Sequence, residues 1–395
     1  MTYDNYFSTK AFKQILEEFK QCEADGVPFI ASSYDYADII LYYHQIGQTE
    51  KASEIFEKAM KLYPDALSLM TGRIRMVLTQ GQVEEAWKLA DQIKDKEDPE
   101  YSHIIAEIMI FEGKEEEANQ YLEDWYQERK DEEYMEDYAM DTAWLLFDLG
   151  LPDLAWKWLD YVDDRDEEEE YLELKANLLI SAGKAEEAKK IINQLIDRDP
   201  YAIAYWNLLA YAQLKNGEIE DSITSSEYAL AINPDDCEAT YNKASALYSL
   251  GNIEEALHYF ERYSQQLPLD SGSEFHQALC LCELDRFDEA FKHLEKVEQI
   301  SENDYKDEVL FIKGFIFLQA DRLDEAKKCF LESIRLTDDE AMQSKEYAML
   351  AYCALQEEDF DAFEKYMKKG SMFDPKGMND LFSNFLPGDK RTDKE

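Results

Sequence analysis

The sequence predicts an all-α chain: a solenoid of about ten antiparallel helical hairpins with a capping helix at each end. Three observations carry this. A glycine followed five residues later by a small residue recurs at Gly47-Ala52, Gly81-Ala86, Gly113-Ala118, Gly150-Ala155, Gly183-Ala188, Gly217-Ser222 and Gly251-Ala256. The small residues step along the chain by 34, 32, 37, 33, 34 and 34 positions. The beat then continues with the glycine replaced, at Asp285-Ala290, Asp321-Ala326 and Glu358-Phe363. Between the beats, apolar residues follow a helical period. A repeat of this length marks stacked supersecondary units, each packed on its neighbours, rather than one globular core.

The segment Cys237–Leu269 shows one unit most clearly. In CEATYNKASALYSL, Tyr241, Ala244, Leu247 and Tyr248 form an apolar stripe at i, i+3, i+6 and i+7. Gly251-Asn252 then ends the first helix. A second helix follows in IEEALHYFERYSQQ, with Ile253, Ala256, Leu257, Phe260 and Tyr263 on one face, and Pro268 closes the unit. The other units repeat these landmarks in phase. Twelve residues before the beat stand Ala106, Ala143, Ala176, Ala210, Ala244, Ala278, Gly314 and Ala351, with Ile40 and Ile74 departing in the first two units. Twelve residues after it come Pro64, Pro200, Pro234, Pro268 and Pro375. One turn after it stand Phe56, Leu122, Leu159, Ile192, Phe260, Leu294, Phe330 and Met367. Closely crossing helices need small side chains at the contact, and large ones fill the space between hairpins. The acidic residues that replace glycine predict turns of a different build in the last three units. Phe12, Ile15, Leu16 and Phe19 predict an amphipathic cap before the first unit. Met378, Leu381, Phe382, Phe385 and Leu386 could cover the last one, ahead of a frayed tail.

This spacing resembles the tetratricopeptide repeat (TPR), whose consensus has a small residue, a turn glycine, an alanine, an aromatic and a terminal proline in this order. Ser222 and Phe363 depart from it at the alanine position. The resemblance implies an N-terminal cap over 1–32, a right-handed superhelix over 33–375, and a C-terminal cap and tail over 376–395. The stretch FIASSYDYADIILYYHQIGQTEKASEIFEKAMKLYP is similar to the start of long TPR proteins of Bacteroidetes-type bacteria. The family binds extended or helical peptides on a concave face lined by first-helix residues. Carried onto this chain, that phase gives Trp144, Glu173, Asn177, Asn207, Tyr211, Tyr241, Asn242, Phe275, His276 and Phe315. Asparagines can pair with a peptide backbone, and aromatics give contact area at low entropy cost. Trp144, Tyr211 and Phe315 have a second reading as packing between hairpins. The asparagines fit a core less well, because buried amides need partners. The family's two-carboxylate clamp for peptide C-termini is not implied: its basic places read Glu173, Glu238, Gly272 and His276.

Charge narrows the partners. The 41 basic and 87 acidic residues give a formal net charge of −46. Such a field repels nucleic acid and anionic membrane and favours basic partners. Nowhere do about twenty apolar residues run together, as a membrane span requires. MTYDNYFSTK lacks the apolar run of a signal peptide, and the six cysteines lack the spacing of a disulfide framework, so the expected location is cytoplasmic. No phosphate loop, GxGxxG, HExxH or GxSxG is present, and His44, His103, His258, His276 and His293 fall in four units. His276 and Cys280 could share a metal at i, i+4, but structural zinc takes four ligands and no second pair is visible. The run Asp160 to Glu170 holds eight carboxylates; it could dock a basic segment or a divalent cation, but it lacks the pattern of a calcium loop and reads first as a solvated segment between repeats. The expectation is a non-enzymatic scaffold without metal or cofactor. It binds one or more proteins through basic or amphipathic segments in an acidic, aromatic-lined groove, with oligomeric state unassigned. The other reading is a regulator whose solenoid senses a small molecule or peptide by changing curvature.

Overall fold

The computed structural model describes residue 7 and residues 10–162, 168–300 and 305–378. Among these residues there are twenty-one helices and no strand. Helix α1 (Lys10–Asp25) comes first, and ten successive pairs follow. The first helices are α2 (Ser33–Gln45), α4 (Leu67–Thr79), α6 (Pro99–Phe111), α8 (Met135–Asp148), α10 (Glu169–Ser181), α12 (Ile203–Lys215), α14 (Cys237–Leu250), α16 (Ser271–Glu283), α18 (Lys306–Gln319) and α20 (Glu340–Gln356). The second helices are α3 (Thr49–Leu62), α5 (Val83–Ala90), α7 (Glu115–Arg129), α9 (Pro152–Leu159), α11 (Ala185–Arg198), α13 (Ile219–Ile232), α15 (Ile253–Gln266), α17 (Phe287–Ile300), α19 (Leu323–Ser333) and α21 (Phe360–Phe373). The boundaries of α14 and α15 coincide with those read from sequence.

The turns show why glycine keeps time. At Gly251 the backbone is left-handed, with φ 86°, and the amide of Asn252 reaches back to the carbonyl of Leu247 at 2.9 Å. That six-to-one bond closes the helix only if the intervening residue has positive φ, which glycine adopts without a Cβ penalty. The expectation of differently built turns in the last three units is overturned. Asp285, Asp321 and Glu358 take φ of 56°, 58° and 60°. Arg286, Arg322 and Asp359 make the same six-to-one bonds, to Leu281, Phe317 and Ala354. Helix termination dictates the conformation, and the side chain bears the strain.

Side-chain caps fix several starts. Ser32 and Asp35 form a reciprocal capping box at α2. Asp98, Asp236, Asp270 and Asp339 cap α6, α14, α16 and α20. At the crossing within hairpins, Ala106, Ala118, Ala143, Ala155, Ala176 and Ala188 are fully buried. Ser222, which departs from the alanine pattern, is buried too, and its hydroxyl donates to the Ala210 carbonyl at 2.7 Å. At Gly314 an added Cβ would lie 2.7 Å from the Phe330 ring, so the small residue there is a packing requirement.

Contacts divide the chain into two compact units, Met1–Asn252 with Gln265–Leu269, and Ile253–Ser264 with Asp270–Glu395. In the first unit, each first helix from α2 to α14 packs on the next first helix, and each second helix packs on the first helix that follows it. The first helices therefore form a continuous row along this unit. In the second unit, α16, α18 and α20 adjoin in the same way. The α1 face carrying Phe12, Leu16 and Phe19 is buried, with Phe12 5.3 Å from the Tyr42 ring and Phe19 6.2 Å from the Tyr43 ring. At the other end Met378 is buried against α20 and α21; Leu381, Phe382, Phe385 and Leu386 lie outside the described residues. Among the described residues no helix is long and apolar enough to cross a membrane.

Candidate partner-binding face

Hydrogen bonds one repeat apart position the first helices. Thr71 donates to Glu100 at 2.6 Å, Arg75 to Glu107 at 3.0 Å, and His103 pairs with Thr142 at 2.8 Å. These bonds join α4 to α6 and α6 to α8, so the row of first helices is held in register by polar groups as well as by packing.

On α8, Asp137, Asp141, Trp144 and Asp148 fall at i, i+4, i+7 and i+11, one stripe of the helix. Trp144 is half-buried, edge-on to Phe147 at 6.1 Å. Asp141 keeps contact with solvent, yet the protein around it limits hydration, and Glu170 and Asp137 add negative charge. Together they push its pKa up to about 6. Asp148 is raised as well, by loss of hydration. On α10, Glu173 is half-buried and raised by the same cause, with Glu170 and Glu169 adding to it. Asp141 and Asp148 on α8 and Glu173 on α10 are thus carboxylates whose charged forms are disfavoured, gathered on neighbouring first helices.

The ten residues expected to line a groove divide into three groups. Trp144, Glu173, Asn177, Tyr211 and Tyr241 keep solvent contact on first helices of the first unit. Asn177 donates to the Glu173 carbonyl at 3.0 Å, within its own helix. Tyr211 is exposed, and the Lys215 ammonium lies 5.2 Å from its ring centre. His276 and Phe315, in the second unit, are half-buried. His276 stacks on Phe260 at 5.0 Å and its Nδ1 donates to the Gly272 carbonyl at 2.7 Å, while Phe315 lies edge-on to Phe287 at 6.3 Å.

Asn207, Asn242 and Phe275 are placed otherwise than expected: all three are buried. Asn207 is 0% exposed and donates to Asp236 at 2.9 Å. Asn242 donates to the Asn207 carbonyl at 3.2 Å. Both amide nitrogens therefore find acceptors in the neighbouring repeat, while the buried Asn207 Oδ1 has no partner among the described residues. Phe275 is covered by Tyr305, stacked at 4.8 Å and 14°. Tyr305 sits in the left-handed N-cap of α18, thirty residues downstream.

Sequence reading missed Asp137, Asp141 and Asp148, and took Glu170 only as a member of the acidic run. Their signal was available as carboxylates spaced along one face of α8 and at the start of α10. In the acidic run, residues 163–167 lie outside the described residues, and Glu170 is the member whose charge reaches Asp141. Cys280 is fully buried, and burial pushes its thiol up to about 12. Among the described residues no group of three or more His, Cys, Asp or Glu is arranged to hold a metal ion.

Comparison with known proteins bears on the fold. Models described as tetratricopeptide repeat match residues 174–237, and residues 41–66 and 307–340. The model described as anaphase-promoting complex, cyclosome, subunit 3 matches residues 215–297. Superkiller protein 3 of Saccharomyces cerevisiae is 29% identical over 94 residues, 24% of this chain and 7% of that protein. Protein FlbA of Caulobacter vibrioides is 30% identical over 120 residues, 30% of this chain and 20% of that protein. The matches thus span a small part of these curated relatives. The crystal structure of the APC/C hetero-tetramer Cut9-Hcn1 aligns with a TM-score of 0.54 at 15% identity, over 90% of this chain and 70% of that one. The fold is an all-α stack of tetratricopeptide repeats.

Proposed function

We propose that this stack of tetratricopeptide repeats is a protein–protein interaction scaffold that takes basic or amphipathic segments of partner proteins on the row of first helices of its first unit. The observation that carries this reading is the α8 stripe. Asp137, Asp141 and Asp148 flank the half-buried indole of Trp144, with Glu170 and Glu173 on the neighbouring first helix. Carboxylates short of hydration gain most from a cation that replaces the missing water, and an indole beside them adds a face for a guanidinium or ammonium. The contact residues on this reading are Trp144, Glu173, Asn177, Tyr211 and Tyr241, joined by the α8 carboxylates. Asn207 and Asn242 support the face from beneath, and Phe275 supports the second unit. The partners are proteins, and no reaction step is assigned.

The test is titration of a fluorescent Lys/Arg-rich peptide and a charge-reversed control, at 50 mM and 500 mM salt. The basic peptide should bind, and its affinity should fall at least tenfold at the higher salt, because the ions screen the attraction. The combined substitution Asp141→Asn and Glu173→Gln should produce a similar loss. Equal affinities for the two peptides, or equal affinities at the two salts, would refute the electrostatic basis.

A further inference from the structure

In the second unit, Glu346 lies near the middle of α20 and is 0% exposed, and neither carboxyl oxygen has a hydrogen-bond partner. A buried carboxylate without donors is among the least favourable arrangements in a protein interior, whereas a neutral carboxylic acid needs far less. The elements packed against α20 explain which form is held. From α19 comes the buried Ser333 hydroxyl, whose proton is already given to the Asp307 carbonyl at 2.7 Å. With that proton committed, Ser333 offsets only part of the burial that disfavours a charged Glu346. From α18 come Asp307, whose charge opposes a charged Glu346, and Glu308, which shares a hydrogen bond with Asp307. On α21, the Gly370 carbonyl accepts from Ser344, and the Lys369 ammonium lies over the Tyr347 ring at 5.2 Å.

We propose that Glu346 is a proton-operated latch: its neutral form keeps α20 seated against α18 and α19, and its ionisation releases α20. The inference is independent of the binding face in the first unit. Burial, together with the Asp307 charge, pushes the Glu346 pKa from its ordinary 4.5 up to about 7. The folded pKa is raised, so the stabilisation is complete below about 4.5 and is lost as pH rises through about 7. The transition falls close to neutrality, where modest changes of pH would alter the population of the opened second unit.

Hydrogen exchange of the full chain tests this. The opening constant of the α20 amides, corrected for the intrinsic rate at each pH, should rise about tenfold between pH 6 and pH 8.5. The α12 amides of the first unit serve as the internal reference. In Glu346→Gln and in the apolar variant Glu346→Met, the α20 slope should be flat. A flat slope in the wild-type protein overturns the proposal without recourse to any variant. So does a tenfold rise that persists in either variant, because another group would then be responsible.

Discussion

Lowering the pH from 7 to 5 should open the first unit at His103. This side chain is buried on α6, with its ring stacked on Tyr138 at 4.7 Å and 12°. The Thr142 hydroxyl donates to the Tyr138 carbonyl at 2.7 Å, so at 2.8 Å it can only accept from His103. His103 is therefore the neutral tautomer with its proton on Nε2. Burial, and next the Arg75 cation, push its pKa from 6.5 down to about 3. The folded pKa is depressed, so the folded state binds the proton less well than the unfolded chain does. Stability is complete above about 6.5 and is lost as pH falls below it. At pH 5 the loss relative to pH 7 is about 2 kcal/mol, or about 25-fold in the opening constant. Hydrogen exchange of the α6 and α8 amides in the full chain reads it directly. Carboxylates titrating in the same range are common to the wild-type protein and His103→Gln, so the difference between the two isolates the imidazole. Parallel pH slopes in both proteins would refute the reasoning.

Two further outcomes follow from local geometry. Glu358→Gly should stabilise the second unit by about 1 kcal/mol, since glycine relieves the side chain held at φ 60°, while Gly81→Ala, where an added Cβ meets nothing within 4 Å, should cost a similar amount through φ alone; thermal unfolding of both variants checks the pair. Trp158 is fully buried and its Nε1 donates to Asn119 Oδ1 at 2.9 Å, so Trp158→Phe should cost about 1–3 kcal/mol by leaving that oxygen unpaired, read as a shift of the urea midpoint.

The hairpin repeat was legible because two local requirements recur in every unit. The turn needs a left-handed residue, and the crossing needs small side chains; both leave their mark at fixed spacing. Gly251-Asn252 places the turn between α14 and α15, and Pro268 lies two residues beyond the end of α15. The candidate face was legible in part. Trp144 and Glu173 come directly from repeat phase, whereas the fate of Asn207, Asn242 and Phe275 depends on residues a repeat away. Asp236 and the Asn207 carbonyl receive the two amides, and Tyr305 covers the phenyl ring. No spacing within one helix reports a partner of that kind. The acidic turns of the last three units show the opposite case: there the hydrogen bond that ends the helix outweighs residue preference.

The two kinds of helix differ in how much their residue pattern can say. A second helix such as α3 buries Ala52, Ile55 and Ala59, a narrow face with the regular period of a surface helix. A first helix such as α4 buries Ser68 through Gly72, then Ile74 and Met76 through Leu78, because neighbours enclose it on several sides. Enclosure of that kind needs polar residues inside, since the partners that align one repeat with the next must be side chains rather than strands. Thr71 with Glu100 and Asn207 with Asp236 serve this purpose. A polar residue on a first helix is therefore poor evidence of exposure, and a search for binding residues by polarity alone will return the alignment groups as well. Spacing discriminates better. Carboxylates recurring along a single stripe, as at Asp137, Asp141 and Asp148, share one side of the helix and repel one another. Such an arrangement is favourable only beside solvent or beside a partner that brings positive charge.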